Sequence, residues 1–269
     1  MDKIIGFIGC GNMAQAMIGG IVESKVIEAS KIITSNRSYE KLENIKNKYG
    51  ISITMDNKEV AKKADILVLA VKPNVYSDVI NEIKDIIKED TIIVTIAAGQ
   101  KIVDIENMFG KEVKIIRTMP NTPALVGEGM SALCKNDIAS DKDLNEVKNI
   151  FEGFGKAEIV NENLIDAFIA VSGSSPAYVF MFIEAMADAA VLEGMPRDKA
   201  YKMAAQAVLG SAKMVLKTGK HPGELKDMVC SPGGTTIEAV TELENQNFRA
   251  AVISAMKKCA DKSRKMSNN

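Results

Sequence analysis

The 269-residue chain is 46% hydrophobic and 26% charged, enough for one or two domains with a sizeable core, which excludes a disulfide-stapled miniprotein and an intrinsically disordered chain. Its 34 Lys and Arg against 35 Asp and Glu leave a formal charge of -1, so no overall field favours nucleic acid or a membrane surface, and neither is expected as a partner. The four cysteines, Cys10, Cys134, Cys230 and Cys259, form no CxxC or Cys/His ligand spacing; free thiols in a reducing cytoplasm are expected, with no metal site.

Met1-Asp2-Lys3 runs directly into an apolar strand and a glycine loop, so the first residue is read as part of the fold and not of a signal peptide. From there to about residue 160, short β-branched runs alternate with amphipathic segments of helical length, the pattern of a doubly wound α/β domain with a parallel sheet. Strands are expected at Lys3 to Ile8, Lys31 to Ser35, Ile51 to Thr54, Asp65 to Val71, Thr91 to Ala97, Val113 to Met119, Ser131 to Lys135 and Lys156 to Val160. The unbroken apolar runs Ile66 to Val71 and Ile92 to Val94 suit central strands covered on both faces. Past Val160 the strand signal stops, and the rest, 161–269, reads as a helical domain. Its helix from Pro176 to Glu193 is apolar almost all round, as the centre of a bundle or a helix between subunits would be. No apolar run approaches the roughly 20 residues of a membrane span; the most apolar helical stretch, Ala177 to Leu192, carries Glu184 and Asp188.

The strongest local signal is Ile8-Gly9-Cys10-Gly11-Asn12-Met13-Ala14, a strand end running into GxGxxA and a helix from Gln15 to Glu23. Gly9 permits the tight turn, Gly11 lets the backbone approach a pyrophosphate, and Ala14 allows close packing of helix on strand. Where an NAD site would carry Asp or Glu after the second strand, this chain has Ser35-Asn36-Arg37, neutral donors and a planar cation suited to a 2′-phosphate. NADPH is therefore expected, with NADH possible. Three further loops fall at carboxyl ends of strands: Ala70-Val71-Lys72-Pro73, Ala97-Ala98-Gly99, and Thr118 to Pro123, where ligands of open α/β sheets bind. In the last, two prolines flank Asn121-Thr122, leaving the Asn121 amide as a group to face a nicotinamide. Asn57 completes the cofactor candidates.

In the helical part, Cys230-Ser231-Pro232-Gly233-Gly234-Thr235-Thr236 leads into a helix near Thr235, and the row of unpaired N–H groups there suits a carboxylate as well as it suits an ordinary helix start. His221, before Pro222 and Gly223 at another helix start, is read as structural.

With these segments assembled, GFIGCGNMA, AVKP, RTMPNTPALVGEG, SGSSPAY and HPGELKDMVCSPGGTT, the chain resembles the pyrroline-5-carboxylate reductases over essentially its whole length, departing at Ser175, where the family usually has glycine. The resemblance implies a Rossmann domain over 1–160 carrying NADPH or NADH and a helical domain over 161–269 that dimerises or assembles further. It implies reduction of 1-pyrroline-5-carboxylate, the last step of proline biosynthesis, with hydride passing from the nicotinamide to the C=N carbon. It also implies that Ser174 and Ser231 contact the substrate, that the amides of Gly233, Gly234 and Thr235 hold its carboxylate, and that the Thr236 hydroxyl bonds its ring nitrogen. Other readings are another imine reductase, a β-hydroxyacid dehydrogenase, or a non-catalytic NADPH-binding sensor. Such dehydrogenases generally place a lysine acid/base on the interdomain helix, and there is no lysine between Asn161 and Glu193. The intact Ser231 to Thr236 segment speaks against a sensor.

Overall fold

The computed structural model describes residues 2–267; Met1, read above as part of the fold, lies outside them, as do 268 and 269. All eight expected strands form: β1 (Ile5–Ile8), β2 (Ile32–Ser35), β3 (Ser52–Thr54), β4 (Ile66–Leu69), β5 (Ile92–Thr95), β6 (Lys114–Met119), β7 (Gly129–Lys135) and β8 (Gly155–Ile159). They make one sheet in the order β3-β2-β1-β4-β5-β6-β7-β8, so the order reverses between β1 and β4, the switch point at which an open α/β sheet binds its ligand. Every pairing is parallel except β6 with β7. A turn from Thr122 to Val126 is long enough to fold the chain straight back but too short for the crossover that a parallel neighbour requires.

Helices α1 (Asn12–Glu23), α2 (Tyr39–Tyr49), α3 (Asn57–Lys63), α4 (Tyr76–Ile83), α5 (Ile102–Phe109) and α6 (Asp141–Phe151) cover the sheet. Two apolar clusters result, one around Phe7, Met17, Ile21, Phe151 and Phe154 and one around Leu67, Tyr76, Ile80, Ile105 and Phe109. A sheet buried on both faces explains why its central strands read as unbroken apolar runs.

From Glu162 the chain is helical to Leu192, 31 residues that are long and apolar enough to cross a membrane by length and composition. The most apolar helical stretch expected from the sequence begins only at Ala177, past the segment Ser172-Gly173-Ser174-Ser175. The structure carries helical backbone through it: α7 (Ile165–Phe168) passes into a π turn over Ile169–Gly173, closed by the Ser174 N–H on the Ile169 carbonyl at 2.8 Å, and α8 follows (Ser175–Leu192). Core helices of soluble proteins meet the same measure.

At the start of this stretch one Glu162 carboxylate oxygen accepts from the Arg117 Nη1 on β6 and from the Ile102 N–H at the start of α5, both at 2.8 Å. Arg117 is 3% exposed, so this tie holds a guanidinium inside the unit that also contains the sheet.

The chain forms two compact units. The first runs to Ser174 and resumes at Cys259; the second is Ser175–Lys258. The second contains α8, α9 (Arg197–Thr218), α10 (Pro222–Val229), α11 (Thr235–Asn245) and the first part of α12 (Phe248–Met266). Only Ala187 of α8 is buried, and Phe180 and Met181 are 60% and 69% exposed. That is not the central helix of a bundle within one chain, one of the two readings above.

Candidate functional site

The glycine loop opens the first unit's cavity. Gly9 sits at φ +100°, and a Cβ there would lie 2.6 Å from the Ala70 carbonyl oxygen; its N–H donates to Ser35 O at 2.9 Å, while Ala70 N–H donates to Ile8 O at 2.8 Å. The loop is thus sewn to β2 on one side and to the β4 end on the other. Gly11 is the residue before α1, and a Cβ there would meet nothing within 4 Å, so its glycine leaves open space beside the helix start. No side chain caps α1 and its first turn has no acidic residue. The N–H groups of Asn12 and Met13 therefore keep the partial positive charge of a helix N-terminus for an anion. Ala14 is buried against the sheet cluster, as expected of the third position of the motif.

Gly9, Cys10, Gly11, Asn36, Arg37, Asn57, Ala70, Val71 and Lys72 line a single cavity of about 420 Å³. Asn74, Val75 and Val79 complete it, and the sequence reading missed them. The available signal was that Pro73 starts a turn leading into α4, which sets 75 and 79 on one helical face. Arg37 is exposed and makes no ion pair or hydrogen bond among the described residues, whereas Asn36 donates to Ser38 O. The cationic group is uncommitted and the neutral one is partly used.

Ser35 differs from its expected role. It is fully buried and its hydroxyl donates to Asn57 Oδ1 at 2.7 Å, so it supports another candidate and offers no side-chain donor of its own. Cys10 is buried too, and burial pushes its thiol up, which keeps it neutral. Ile8 is buried and contributes backbone alone. Pro73 begins the turn before α4, and Ala97 and Ala98 form the loop after β5.

The Asn121 amide does not stand free. Its Nδ2 donates to the Ser172 carbonyl and hydroxyl, each at 3.1 Å, and its Oδ1 accepts from Met130 N–H at 2.8 Å. Both donors are consumed in tying the β6–β7 turn to the π turn. The prolines that suggested a ligand-facing amide hold a buried structural one instead, 7% exposed. Ser174, the expected substrate contact at the end of that π turn, accepts a hydrogen bond from the Cys259 thiol at 3.1 Å.

The remaining substrate candidates fall at the start of α11 in the second unit. Gly234 is the residue before this helix, with no side-chain cap, and a Cβ there would meet Ser231 Oγ at 2.3 Å; only glycine admits the serine hydroxyl so close. The Gly234 N–H donates to Ser231 O at 3.0 Å. That corrects its expected role as a carboxylate donor: the tight turn through Gly233 consumes it. The N–H groups of Thr235 and Thr236 remain without intrahelical acceptors, and the Thr236 hydroxyl, on a half-buried side chain, makes no hydrogen bond among the described residues. His221 caps α10, its Nδ1 accepting from Gly223 N–H at 3.1 Å, in keeping with the structural reading.

Two family models match the chain: NADP oxidoreductase, coenzyme F420-dependent, over residues 4–99, and pyrroline-5-carboxylate reductase dimerisation over residues 162–266. It is 54% identical to the pyrroline-5-carboxylate reductase of Escherichia coli K12 over the full length of both chains. Among solved structures it is similar to the pyrroline-5-carboxylate reductase of Coxiella burnetii, with 36% identity, a TM-score of 0.93 and 99% of each chain covered. It is also similar to the Plasmodium falciparum pyrroline carboxylate reductase with NADP bound, with 34% identity, a TM-score of 0.90 and 99% and 98% covered.

Proposed function

Because this chain belongs to the pyrroline-5-carboxylate reductase family, we propose that the cavity at the α1 start holds NADPH and that the α11 start holds the carboxylate of 1-pyrroline-5-carboxylate. The reaction is the reduction of that cyclic imine to L-proline, an oxidoreductase step on a C=N bond that ends proline biosynthesis. NADPH, when bound, supplies the hydride for the C=N carbon. The chain's own residues bind, orient and polarise, the protein's usual share where a cofactor carries the chemistry.

In this reading the N–H groups of Gly11, Asn12 and Met13 hold the pyrophosphate. Arg37, with Asn36, takes the 2′-phosphate, and Asn57, backed by Ser35, bonds the same ribose. Ala70, Val71, Lys72 and Pro73 line the passage toward the nicotinamide, whose loop is Ala97 and Ala98. In the second unit Thr235 and Gly233 amides bond the carboxylate while Gly234 and Ser231 shape their turn. The Thr236 hydroxyl bonds the ring nitrogen, which must gain a proton as the carbon gains hydride. We divide the functional domains at 160/161, close to the start of the matched dimerisation family at 162, although the first compact unit continues to Ser174.

The observation that carries this reading is the uncapped α1 start opening on a cavity whose one uncommitted guanidinium is Arg37. Its direct test is NADPH oxidation driven by pyrroline-5-carboxylate: a sensor would bind NADPH and never consume it. A charged hydrogen bond contributes about 1.5–3 kcal/mol, so Arg37→Ala is expected to raise the KM for NADPH by about tenfold to a hundredfold and to leave NADH nearly unchanged. Equal losses with both cofactors would remove the phosphate role.

The protein assembles with copies of itself, and we place that contact on the helical domain. Phe180 and Met181 of α8, with Met203 of α9 at 57% exposure, are large apolar side chains left in water by one chain, the kind of surface an interface between copies covers. Sedimentation at low micromolar concentration is expected to show no 29.1 kDa species; a stable, active monomer refutes this. The free, buried Cys10 and Cys134 support a cytoplasmic setting, and the partners in this proposal are the small-molecule substrate and further copies of the chain, not nucleic acid or membrane.

A further inference from the structure

Asn57 carries an oxygen and an NH₂ group of the same size and opposite hydrogen-bonding sense, so its use in a binding site depends on which way round the amide is held. Ser35 alone cannot decide this, since a hydroxyl both donates and accepts. The deciding neighbour is Glu82, on the exposed face of α4: its Oε2 accepts from Asn57 Nδ2 at 2.9 Å. An ionised carboxylate has only acceptors, which puts the NH₂ on its side, and the Ser35 hydroxyl then donates to Asn57 Oδ1 at 2.7 Å. One amide N–H remains uncommitted on a side chain that lines the cavity with Arg37 and Lys72.

We propose that Glu82 is a positioning residue for the cofactor, fixing the Asn57 amide so that the cavity keeps a donor for the oxygens of the 2′-phosphorylated ribose. This rests on the reading of the cavity as the NADPH site. A phosphate presents acceptors alone, so a reversed amide would set its carbonyl against them, whereas the orientation imposed by Glu82 sets an N–H there. The same carboxylate adds a negative charge near a site for an anion. Orientation and charge therefore push NADPH binding in opposite directions, and substitutions separate them.

The test is a double-mutant cycle in the full-length enzyme, measured as KM and kcat with NADPH. Glu82→Ala frees the amide and is expected to raise the NADPH KM by about threefold to tenfold, the range for one lost hydrogen bond, with kcat changing much less. Glu82→Gln drops the charge and, like the Ser35 hydroxyl, can donate as well as accept, so it no longer fixes the amide and its KM should rise with that of Glu82→Ala. In an Asn57→Ala background, where only the charge effect remains, Glu82→Ala should raise the NADPH KM no further. A KM lowered by both Ala and Gln would mean that charge alone acts, and an undiminished Glu82→Ala effect in the Asn57→Ala background would mean that Glu82 acts elsewhere; either overturns the proposal. So does a fall in kcat at constant KM, the mark of a structural role. If Asn57→Ala by itself leaves the NADPH KM unchanged, the cavity reading fails as well. A normal Asn57→Ala loss with a silent Glu82→Ala overturns the positioning role alone.

Discussion

Thr236→Val is expected to lower kcat and kcat/KM by about tenfold to a hundredfold, as for a hydrogen bond made mainly in the transition state. Valine keeps the shape of threonine and removes the hydroxyl alone. That hydroxyl, in the first turn of α11, has no partner among the described residues, so its loss leaves no buried group stranded and should cost the fold little. The ring nitrogen needs it most as electron density builds there during hydride arrival. Thr236→Ala should behave alike, and NADPH affinity should move little in both. Measuring kcat beside Tm separates this from a capping role: a full kcat in a less stable Thr236→Val protein would leave only the carboxylate pocket as this segment's polar contribution.

Glu162→Ala is expected to destabilise the first unit by about 2–3 kcal/mol. Removing one partner of a buried ion pair costs about 3–5 kcal/mol because the other charge stays buried, and the lower figure follows from Glu162 being 35% exposed at its side chain, where water can replace part of the carboxylate. Arg117, with 4% side-chain exposure and an Nε that already lacks a partner, has no way to follow the charge out. The Ile102 N–H loses its acceptor in the same substitution. Arg117→Met, which removes the charge itself, should cost less, and equilibrium denaturation of the two variants gives the comparison. Equal stability of Glu162→Ala and the parent would show that the pair contributes nothing.

What was legible in the sequence follows from what each signal depends on. The strands were found within a few residues because Ile66 to Leu69 and Ile92 to Val94 must be apolar on both faces wherever the sheet is covered twice. The antiparallel direction of β7 was not legible, since its residues alternate no differently from those of a parallel strand and only the short return through Thr122 to Val126 sets it. The glycine loop, Asn36, Arg37 and Lys72 were expected at one cleft because they follow strand ends, and they line one cavity. The polar side chain of Asn121 was misjudged because its partner lay far along the chain: it reaches Ser172, 51 residues on. Glu82 was invisible for the same reason. On an amphipathic helix an outward glutamate reads as solvation, and Asn57 stands 25 positions away.

The two margins of the sheet bear on how the protein avoids sticking to itself in the wrong way. A bare strand edge is a template for a stranger's backbone, and eight strands in an open sheet leave two of them. At one end β3 has only three residues, Ser52–Thr54, two of them polar. At the other, β8 alternates Lys156 and Glu158 outward around the buried Ala157. A growing cross-β stack would have to desolvate those charges or find register with a strand too short to hold it, so amyloid-like growth is blocked at both margins. Self-association is left to helix surfaces, which can close into a finite assembly where sheet edges would extend without end.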